Sequence, residues 1–249
     1  MEKDYFASRA TVRAYDPERH ISDELLDSIL ERAMRAPTTG NMQLYTVIVT
    51  RDPERKAALT PLHFNQPAST GADVILTICA DFNRFTRWCR LSDADAGYDN
   101  LLSFLSAMTD AVIVAQQIVT IAETEGLGTC YLGTVTYNAD KISELLNLPE
   151  LVVPVVCLSL GYPAGPTVQC ERLPLNAVVH REQYRPDSDE DVIELFRTKE
   201  EYAPNKQFVA ENGKANLAQV FTDIRYPRSL NESVSKMLVQ HLRDKGFLS

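Results

Sequence analysis

The sequence predicts an α+β fold in a chain of 249 residues, which is long enough to bury a sizeable core. Two observations carry this prediction. Three apolar runs, at 44–50, 74–80 and 152–160, have the length and composition of β-strands. Between them, the stretch 100–125 repeats apolar residues with a period of about 3.6, which is typical of an amphipathic helix. The hydrophobic fraction of 45% is that of a folded chain.

The first half of the chain begins with a predicted helix. Ser22 is a favoured N-cap, apolar residues follow at helical spacing as far as Ala33, and Pro37 ends the pattern. After the first apolar run, Pro53 stands at the first turn of a short helix, a position that suits proline. The run 74–80 is nearly all apolar and is therefore expected to be a central strand covered on both faces.

Glycines and a cap residue follow the long helix. Gly126 and Gly128 are expected to end it, as glycines at helix C-termini do. A short strand or loop should begin at Tyr131, and Asn138 should cap a helix over 141–148.

The last third of the chain changes in character. The strand 152–160 should be weak near Pro154, because proline cannot donate to a β-ladder. Residues 176–180 are compatible with a short edge strand, residues 185–216 are polar and charged, and residues 228–246 return to an amphipathic helix.

Composition argues against several classes of protein. A formal net charge of −9 argues against a nucleic-acid partner or an anionic membrane surface, either of which needs a basic patch. No run of about 18 apolar residues predicts a transmembrane helix, and the first residues lack the apolar core of a signal peptide. The cysteines and histidines show no CxxC, HxH or HExxH spacing, so neither a disulfide framework nor a metal site is expected. We expect a cytoplasmic protein with reduced thiols.

Two segments near the N-terminus suit the two ends of one ligand. Arg9, Thr11 and Arg13 combine two cations with a hydroxyl, and guanidinium groups offer paired, charge-assisted donors to phosphate oxygens. The loop 36–43 carries hydroxyls and two primary amides, each of which offers a donor and an acceptor together. The two segments predict a ligand with a phosphate at one end and a flat, hydrogen-bonding ring system, such as a flavin, at the other.

Two further motifs complete a pattern. The longer one spans 110–133, with landmarks at Asp110, Gln116, Glu123, Gly126, Gly128, Tyr131 and Gly133, and the shorter one spans 170–174 and contains Arg172. In this order, the four motifs resemble those of the nitroreductase family of FMN-dependent oxidoreductases, in particular its branch of larger, NADPH-preferring nitroreductases and flavin reductases. The resemblance covers roughly residues 5–180 and reappears weakly at the C-terminal helix.

The sequence also departs from the family pattern. Leu44 and Tyr45 stand where many relatives have proline and tryptophan, and Thr134 replaces a second glycine. Cys170 replaces a lysine, which removes a positive charge that relatives place near the flavin.

The resemblance implies a three-layer, nitroreductase-like fold. A mostly antiparallel central sheet would be flanked by helices, with the long central helix at the interface of a homodimer. Residues 1–249 would form a single domain, in which 185–249 are a C-terminal extension packed on the body or on the partner subunit. Asp110 and Gln116 would then be satisfied structural polar groups rather than catalysts.

The resemblance also implies the residues of the site. FMN would be bound by Arg9, Ala10, Thr11, Arg13, Thr38, Thr39, Asn41, Gln43, Gln66, Tyr131, Leu132, Gly133 and Arg172. A backbone N–H near Gly133 would bond flavin N5, because a residue without a side chain allows close approach. Lys206 and Arg225 would bind the 2′-phosphate of NADPH. No protein catalyst is implied, since flavin N5 carries the chemistry.

The implied activity is that of an NAD(P)H-dependent FMN oxidoreductase. It would reduce nitroaromatics, quinones or free flavins by a ping-pong mechanism, with small-molecule oxidants as its partners. NADPH is the favoured reductant and NADH the alternative. Two other hypotheses stay open: a dehalogenating or flavin-fragmenting relative on the same fold, and a flavin-binding module with little turnover.

Overall fold

The computed structural model describes residues 4–248 as two compact units. The first comprises the chain up to Val168 together with the segment from Val234 onward, and the second is Gln169–Ser233. The single domain over 1–249, with an extension over 185–249, stays a prediction.

A four-stranded sheet forms the centre of the first unit. Its strands are β1 (Tyr45–Thr50), β2 (Val74–Asp81), β3 (Gly128–Tyr131) and β4 (Val152–Gly161), in the order β1-β2-β4-β3. Every neighbouring pair is antiparallel. All three predicted apolar strands are confirmed to within one residue at each end, whereas β3 ends at Tyr131 instead of beginning there.

Proline disturbs the pairing of β4 at the predicted place. Ile78 of β2 pairs with Val156, but the next residue, Cys79, pairs with Pro154, so that Val155 is an extra residue in the ladder. Such a β-bulge removes the need for the N–H that proline lacks, which is how a central strand accommodates it.

Helices of the first unit surround the sheet. They are α1 (Tyr5–Ser8), α2 (Asp23–Ala33), α3 (Pro53–Leu59), α4 (Pro67–Thr70), α5 (Asn83–Leu91), α6 (Leu101–Thr124) and α7 (Ala139–Leu145). The predicted cap of α2 is confirmed, since the Leu25 N–H donates to the Ser22 hydroxyl at 3.1 Å. Pro53 stands in the first turn of α3, as predicted.

The sheet carries a hydrophobic core on each face. Leu76 and Ile78 of β2 cluster with buried side chains of α2 and α6. Ile75, which points the opposite way, clusters with residues of α3, α7 and the N-terminal segment. All residues of β2 are buried, so the prediction of a covered central strand and the three-layer α+β fold are both confirmed.

The long helix α6 is apolar on nearly every side. The Asn100 side chain caps it, and Gly126, with φ of +83°, ends it as predicted. One face is buried on the sheet and includes Asp110. On the opposite side large apolar residues are exposed: Leu101, Leu102, Leu105, Met108, Val112 and Ile113. Length and hydropathy alone would let α6 cross a membrane, but its buried face is part of the largest core of the first unit.

Three local expectations are corrected by the structure. Gly128 lies inside β3 and does not end α6. Asn138 precedes α7, but its side chain donates to the Leu62 carbonyl at 2.8 Å instead of capping, and the helix ends at Leu145 rather than near 148. Residues 175–177 form a single 3-10 turn, and the edge strand expected at 176–180 is absent from this described segment.

The second unit is helical. It contains α8 (Asp189–Glu201), α9 (Ala203–Glu211) and α10 (Leu217–Val220), and α11 (Arg228–Asp244) begins in it and continues into the first unit. The polar segment 185–216 therefore holds helices, of which α8 begins with a reciprocal cap between Ser188 and Asp191. The predicted C-terminal helix is confirmed, with its end at Asp244.

Candidate functional site

The N-terminal motif lies along the open edge of β3. The Val12 N–H donates to the Thr129 carbonyl at 3.0 Å, and Tyr15 forms a bridge with Pro163. Two glycines make this approach possible. A Cβ on Gly128 would lie 2.6 Å from Val12 atoms, and one on Gly161 would lie 2.7 Å from the Tyr15 ring. The path of the motif is therefore set by two positions at which only hydrogen fits.

This path brings the predicted phosphate-binding side chains together. A cavity of about 460 Å³ is lined by Arg9, Thr11, Arg13, Gln116, Cys130 and Tyr131. The side chain of Arg9 is 24% exposed, and Arg13 is exposed. Two guanidinium groups and a hydroxyl around one cavity form a donor set that suits an oxyanion such as phosphate.

Glu123 of α6 holds Arg9 at this cavity. Its two carboxylate oxygens accept from the Arg9 guanidinium, with Nε at 3.0 Å and Nη2 at 3.1 Å. The same carboxylate accepts from the hydroxyls of Tyr5 and Thr129. Glu123 was not among the predicted site residues, although its place in the 110–133 motif marked it.

The second predicted segment is a strained loop. Gly40, Asn41 and Gln43 have φ between +54° and +56°, which is the left-handed region. For residues other than glycine this conformation costs on the order of 1–3 kcal/mol and persists only where the surroundings impose it. Thr38 enters the turn in extended conformation. Strain thus falls on the two amide residues that were predicted to contact a flat ring.

Asp110 imposes this conformation from α6. Its carboxylate accepts from the Thr39 N–H at 2.8 Å, the Thr39 hydroxyl at 2.9 Å and the Leu44 N–H at 3.1 Å. Asp110 is only 1% exposed. The expectation that Asp110 is a satisfied structural polar group is confirmed by these contacts. Arg84 adds a second restraint, because it donates to the Gln43 and Tyr45 carbonyls at 2.9 Å each.

A buried histidine connects two other parts of the predicted site. His63 is fully buried, and its Nδ1 lies 2.9 Å from the Thr134 hydroxyl, next to Gly133. Burial lowers the pKa of His63 to about 4. Phe64 and Asn65, which separate it from Gln66, are both left-handed. Sequence reasoning missed His63, because an isolated histidine carries no spacing signal.

Tyr131, Leu132 and Gly133 follow one another at the end of β3. The Tyr131 hydroxyl donates to Gln116 at 3.3 Å, and the side chain of Leu132 is buried in the core. A Cβ on Gly133 would meet no atom within 4 Å, and its φ is not left-handed. Neither protein packing nor backbone conformation therefore requires glycine at position 133.

The other predicted residues belong to the second unit. Arg172 donates to the carbonyls of Cys170 and Glu171, at 3.3 and 3.0 Å. Lys206 is exposed on α9. The Arg225 guanidinium stacks over the Phe208 ring, with 4.3 Å between its central carbon and the ring centroid.

The family assignment follows from the comparison of this chain with known proteins. Residues 6–162, which contain the sheet, the N-terminal motif and the strained loop, match the model of the nitroreductase family. This chain belongs to the nitroreductase family.

Relatives of this nitroreductase-family chain extend over nearly its whole length. A Bacteroides fragilis protein of solved structure is 47% identical, with a TM-score of 0.96, and the match covers 99% of this chain and 100% of that one. The oxygen-insensitive NADPH nitroreductase of Salmonella typhimurium is 33% identical over 92% of this chain and 93% of its own. The FMN reductase (NADPH) of Bacillus subtilis is 30% identical, with coverage of 95% and 94%.

The residues present fit the phosphorylated flavin that a nitroreductase would hold. The arginine cavity offers donors for a phosphate, and the strained loop presents two amides. The open space at Gly133 leaves room for a ligand atom to approach the backbone. These features lie on three segments of the first unit, and all three fall within the residues that match the family model.

Proposed function

We propose that this chain is an FMN-dependent NAD(P)H oxidoreductase that reduces nitroaromatics, quinones or free flavins by a ping-pong mechanism. One observation carries the proposal: α6 holds two of the family motifs in place, the arginines of the cavity through Glu123 and the strained amide loop through Asp110. The activities named for two relatives, an NADPH nitroreductase and an FMN reductase, agree with it.

The phosphate of FMN would be bound by the arginine cavity. Arg9, Thr11 and Arg13 supply charge-assisted and hydroxyl donors, and the Ala10 backbone lies between them. Arg172 of the second unit is the third cation of this proposal, motivated by its motif. The Arg9 and Arg13 guanidinium groups would balance a dianion without a glycine-rich phosphate loop.

The ring of FMN would be bound by the strained loop and by the end of β3. Thr38, Thr39, Asn41, Gln43 and Gln66 provide backbone and side-chain hydrogen bonds to its polar edge. The Thr39 hydroxyl already donates to Asp110, so Thr39 would act through its remaining acceptor capacity. From the segment Tyr131, Leu132 and Gly133, the Gly133 backbone N–H would face N5.

When bound, FMN would accept a hydride and donate one or two electrons. The reaction therefore requires no redox-active side chain. The protein's part is to bind and orient. The loop amides would stabilise negative charge at the edge of the ring. His63 stays neutral near pH 7, because burial lowers its pKa to about 4, and so adds no charge beside Thr134.

Lys206 and Arg225 would bind the reductant. Both are cations of the second unit, and stacking on Phe208 restricts the orientation of the Arg225 fork. They are the candidates for contact with the 2′-phosphate of NADPH. Because exposed charge pairs contribute only about 0–1 kcal/mol each, we expect a modest preference for NADPH over NADH. A tenfold or larger kcat/KM in favour of NADH would contradict this assignment.

The active form would be a cytoplasmic homodimer with α6 at its interface. The exposed apolar side of α6 supports a second subunit as the element that covers it. The cysteines of the chain are all unpaired, which agrees with a reducing compartment.

The test is the absorption spectrum of the purified full chain. We expect one noncovalent FMN per chain, whose absorbance bleaches with NADPH in the absence of oxygen and returns when a nitroaromatic or a quinone is added. Initial rates measured at several concentrations of both substrates should give the parallel lines of a ping-pong mechanism. A colourless protein that takes up no added FMN would end this proposal.

A further inference from the structure

Helix α6 carries two buried carboxylates, and each is surrounded by donors from one part of the candidate site. Asp110 is 1% exposed, and the side chain of Glu123 is 8% exposed. A buried carboxylate is costly unless its lone pairs are satisfied, so the donors around each one are fixed in place together with it. Both residues stand in the 110–133 motif.

Asp110 closes the strained loop at both ends. One oxygen takes two donors from Thr39, and the other takes the Leu44 N–H. The left-handed residues lie between these two anchors. Without a carboxylate at this place the loop is free to relax out of the left-handed region, which would turn the Asn41 and Gln43 side chains away from their present directions.

Glu123 acts in the same way at the cavity. Paired contacts with Nε and Nη2 fix the plane of the Arg9 guanidinium, as a bidentate pair does. The hydroxyl donors of Tyr5 and Thr129 in turn fix the carboxylate. Arg9 therefore lines the cavity in one orientation, beside Thr11 and Arg13.

We infer that α6 positions the two ends of the cofactor site separately, with Asp110 acting on the ring end and Glu123 on the phosphate end. The inference rests on the proposed function. Neither residue is assigned a contact with FMN, and both act through the segments that they hold.

The two roles are separable by a flavin that lacks the phosphate. Full-length protein freed of flavin is titrated with FMN and with riboflavin, and binding is followed by quenching of flavin fluorescence. Asp110→Asn places an amide donor against one of the N–H groups, so the affinities for FMN and riboflavin should fall together, by about tenfold. Glu123→Gln should lower the affinity for FMN about fivefold and leave that for riboflavin within about twofold.

Matched controls lie on α6 and directly after its last residue. Glu125→Gln removes a carboxylate that pairs with Arg32 at the surface, and Ser106→Ala removes an exposed hydroxyl that bonds only its own helix backbone in the described structure. Neither should change either affinity. If Glu123→Gln lowers the affinities for FMN and riboflavin in equal proportion, if it binds FMN as tightly as the parent does, or if folded Asp110→Asn keeps the parent's affinities, the inference is wrong.

A second readout does not need a flavin. In the flavin-free chain, hydrogen exchange at the Thr39 and Leu44 amides should be at least tenfold faster in Asp110→Asn, while β2 amides keep their protection. If that variant does not fold, Thr39→Val removes only the hydroxyl contact and should accelerate Leu44 exchange to a smaller extent. Unchanged exchange in the folded variants would overturn the role of Asp110. Failure of the parent chain to bind FMN would instead overturn the proposed function.

Discussion

Replacing Gly128 by alanine should displace the arginine-bearing N-terminal segment from the edge of the sheet. A Cβ at this position would come within 2.6 Å of three carbon atoms of Val12, which are its whole side chain. Non-bonded carbon atoms in contact lie about 3.5–4.0 Å apart, so the two segments must separate by about 1 Å. Val12 is buried and its N–H donates to Thr129, so it cannot turn aside without cost.

The displacement should reduce both stability and cofactor binding. Overpacking of this kind costs about 1–3 kcal/mol of the free energy of unfolding. A shift of about 1 Å at Val12 moves its neighbours Thr11 and Arg13 as well, and donor geometry at the cavity is lost at that scale, so we expect FMN affinity to fall at least tenfold. Urea unfolding and FMN titration of the full chain measure the two effects.

A second substitution checks the cause. Val12→Gly in the Gly128→Ala background removes all three clashing atoms, and the double variant should recover about 0.5–3 kcal/mol relative to the sum of the single changes. Gly97→Ala is the matched control, because a Cβ there meets no atom within 4 Å. If Gly128→Ala is as stable as Gly97→Ala, or if Val12→Gly recovers nothing, the close approach does not constrain the motif.

Three further changes test other parts of the structure. Arg13→Ala should weaken FMN binding by about 1.5–3 kcal/mol in a fluorescence titration, as expected for a charge-assisted hydrogen bond, and an unchanged Kd would exclude Arg13 from the phosphate site. His63 is buried with its pKa lowered from 6.5 to about 4, so the unfolded chain binds more protons between these values and stability must rise with pH across that window. We expect the free energy of unfolding, measured with urea, to be about 2 kcal/mol lower at pH 5 than at pH 7.5 because of His63. His63→Gln should remove this part of the pH dependence, and a variant with an unaltered pH profile would contradict the role of His63. Val112→Asp on the exposed side of α6 should convert the expected dimer to a monomer by light scattering, whereas Gln117→Asp, at an exposed polar position of the same helix, serves as the control. A dimer that survives Val112→Asp would place the interface elsewhere.

Local and short-range features of this protein were predictable from the order of its residues. The burial of β2 follows from an unbroken apolar run, and the limits of α2 and α6 follow from the caps at Ser22 and Asn100 and from the left-handed Gly126. The bulge of β4 follows from the missing N–H of Pro154. Each of these depends on one residue's own backbone or on neighbours a few positions away.

Features that depend on packing between distant segments were decided only by the tertiary structure. Gly128 looks like a helix terminator in the sequence, but Val12, more than a hundred positions earlier, is what excludes a side chain there. Asn138 looks like a helix cap in the sequence, but its side-chain amide donates to the Leu62 carbonyl instead. In both cases a generic local preference was overridden by a specific contact that no sequence pattern contains.

The candidate site also combines residues that the sequence could predict with residues whose roles depend on the tertiary structure. Arg9, Arg13 and the amide loop could be recognised because the chemistry of phosphate and of a flat polar ring selects their residue types. The partners of the carboxylates that hold them could not be predicted, because Asp110 and Glu123 each accept from donors that lie far away along the chain. Sequence thus determined which groups are available to bind, and the tertiary structure decided which buried acceptors orient them, since hydrogen-bond partners are selected by distance in space and not by distance along the chain.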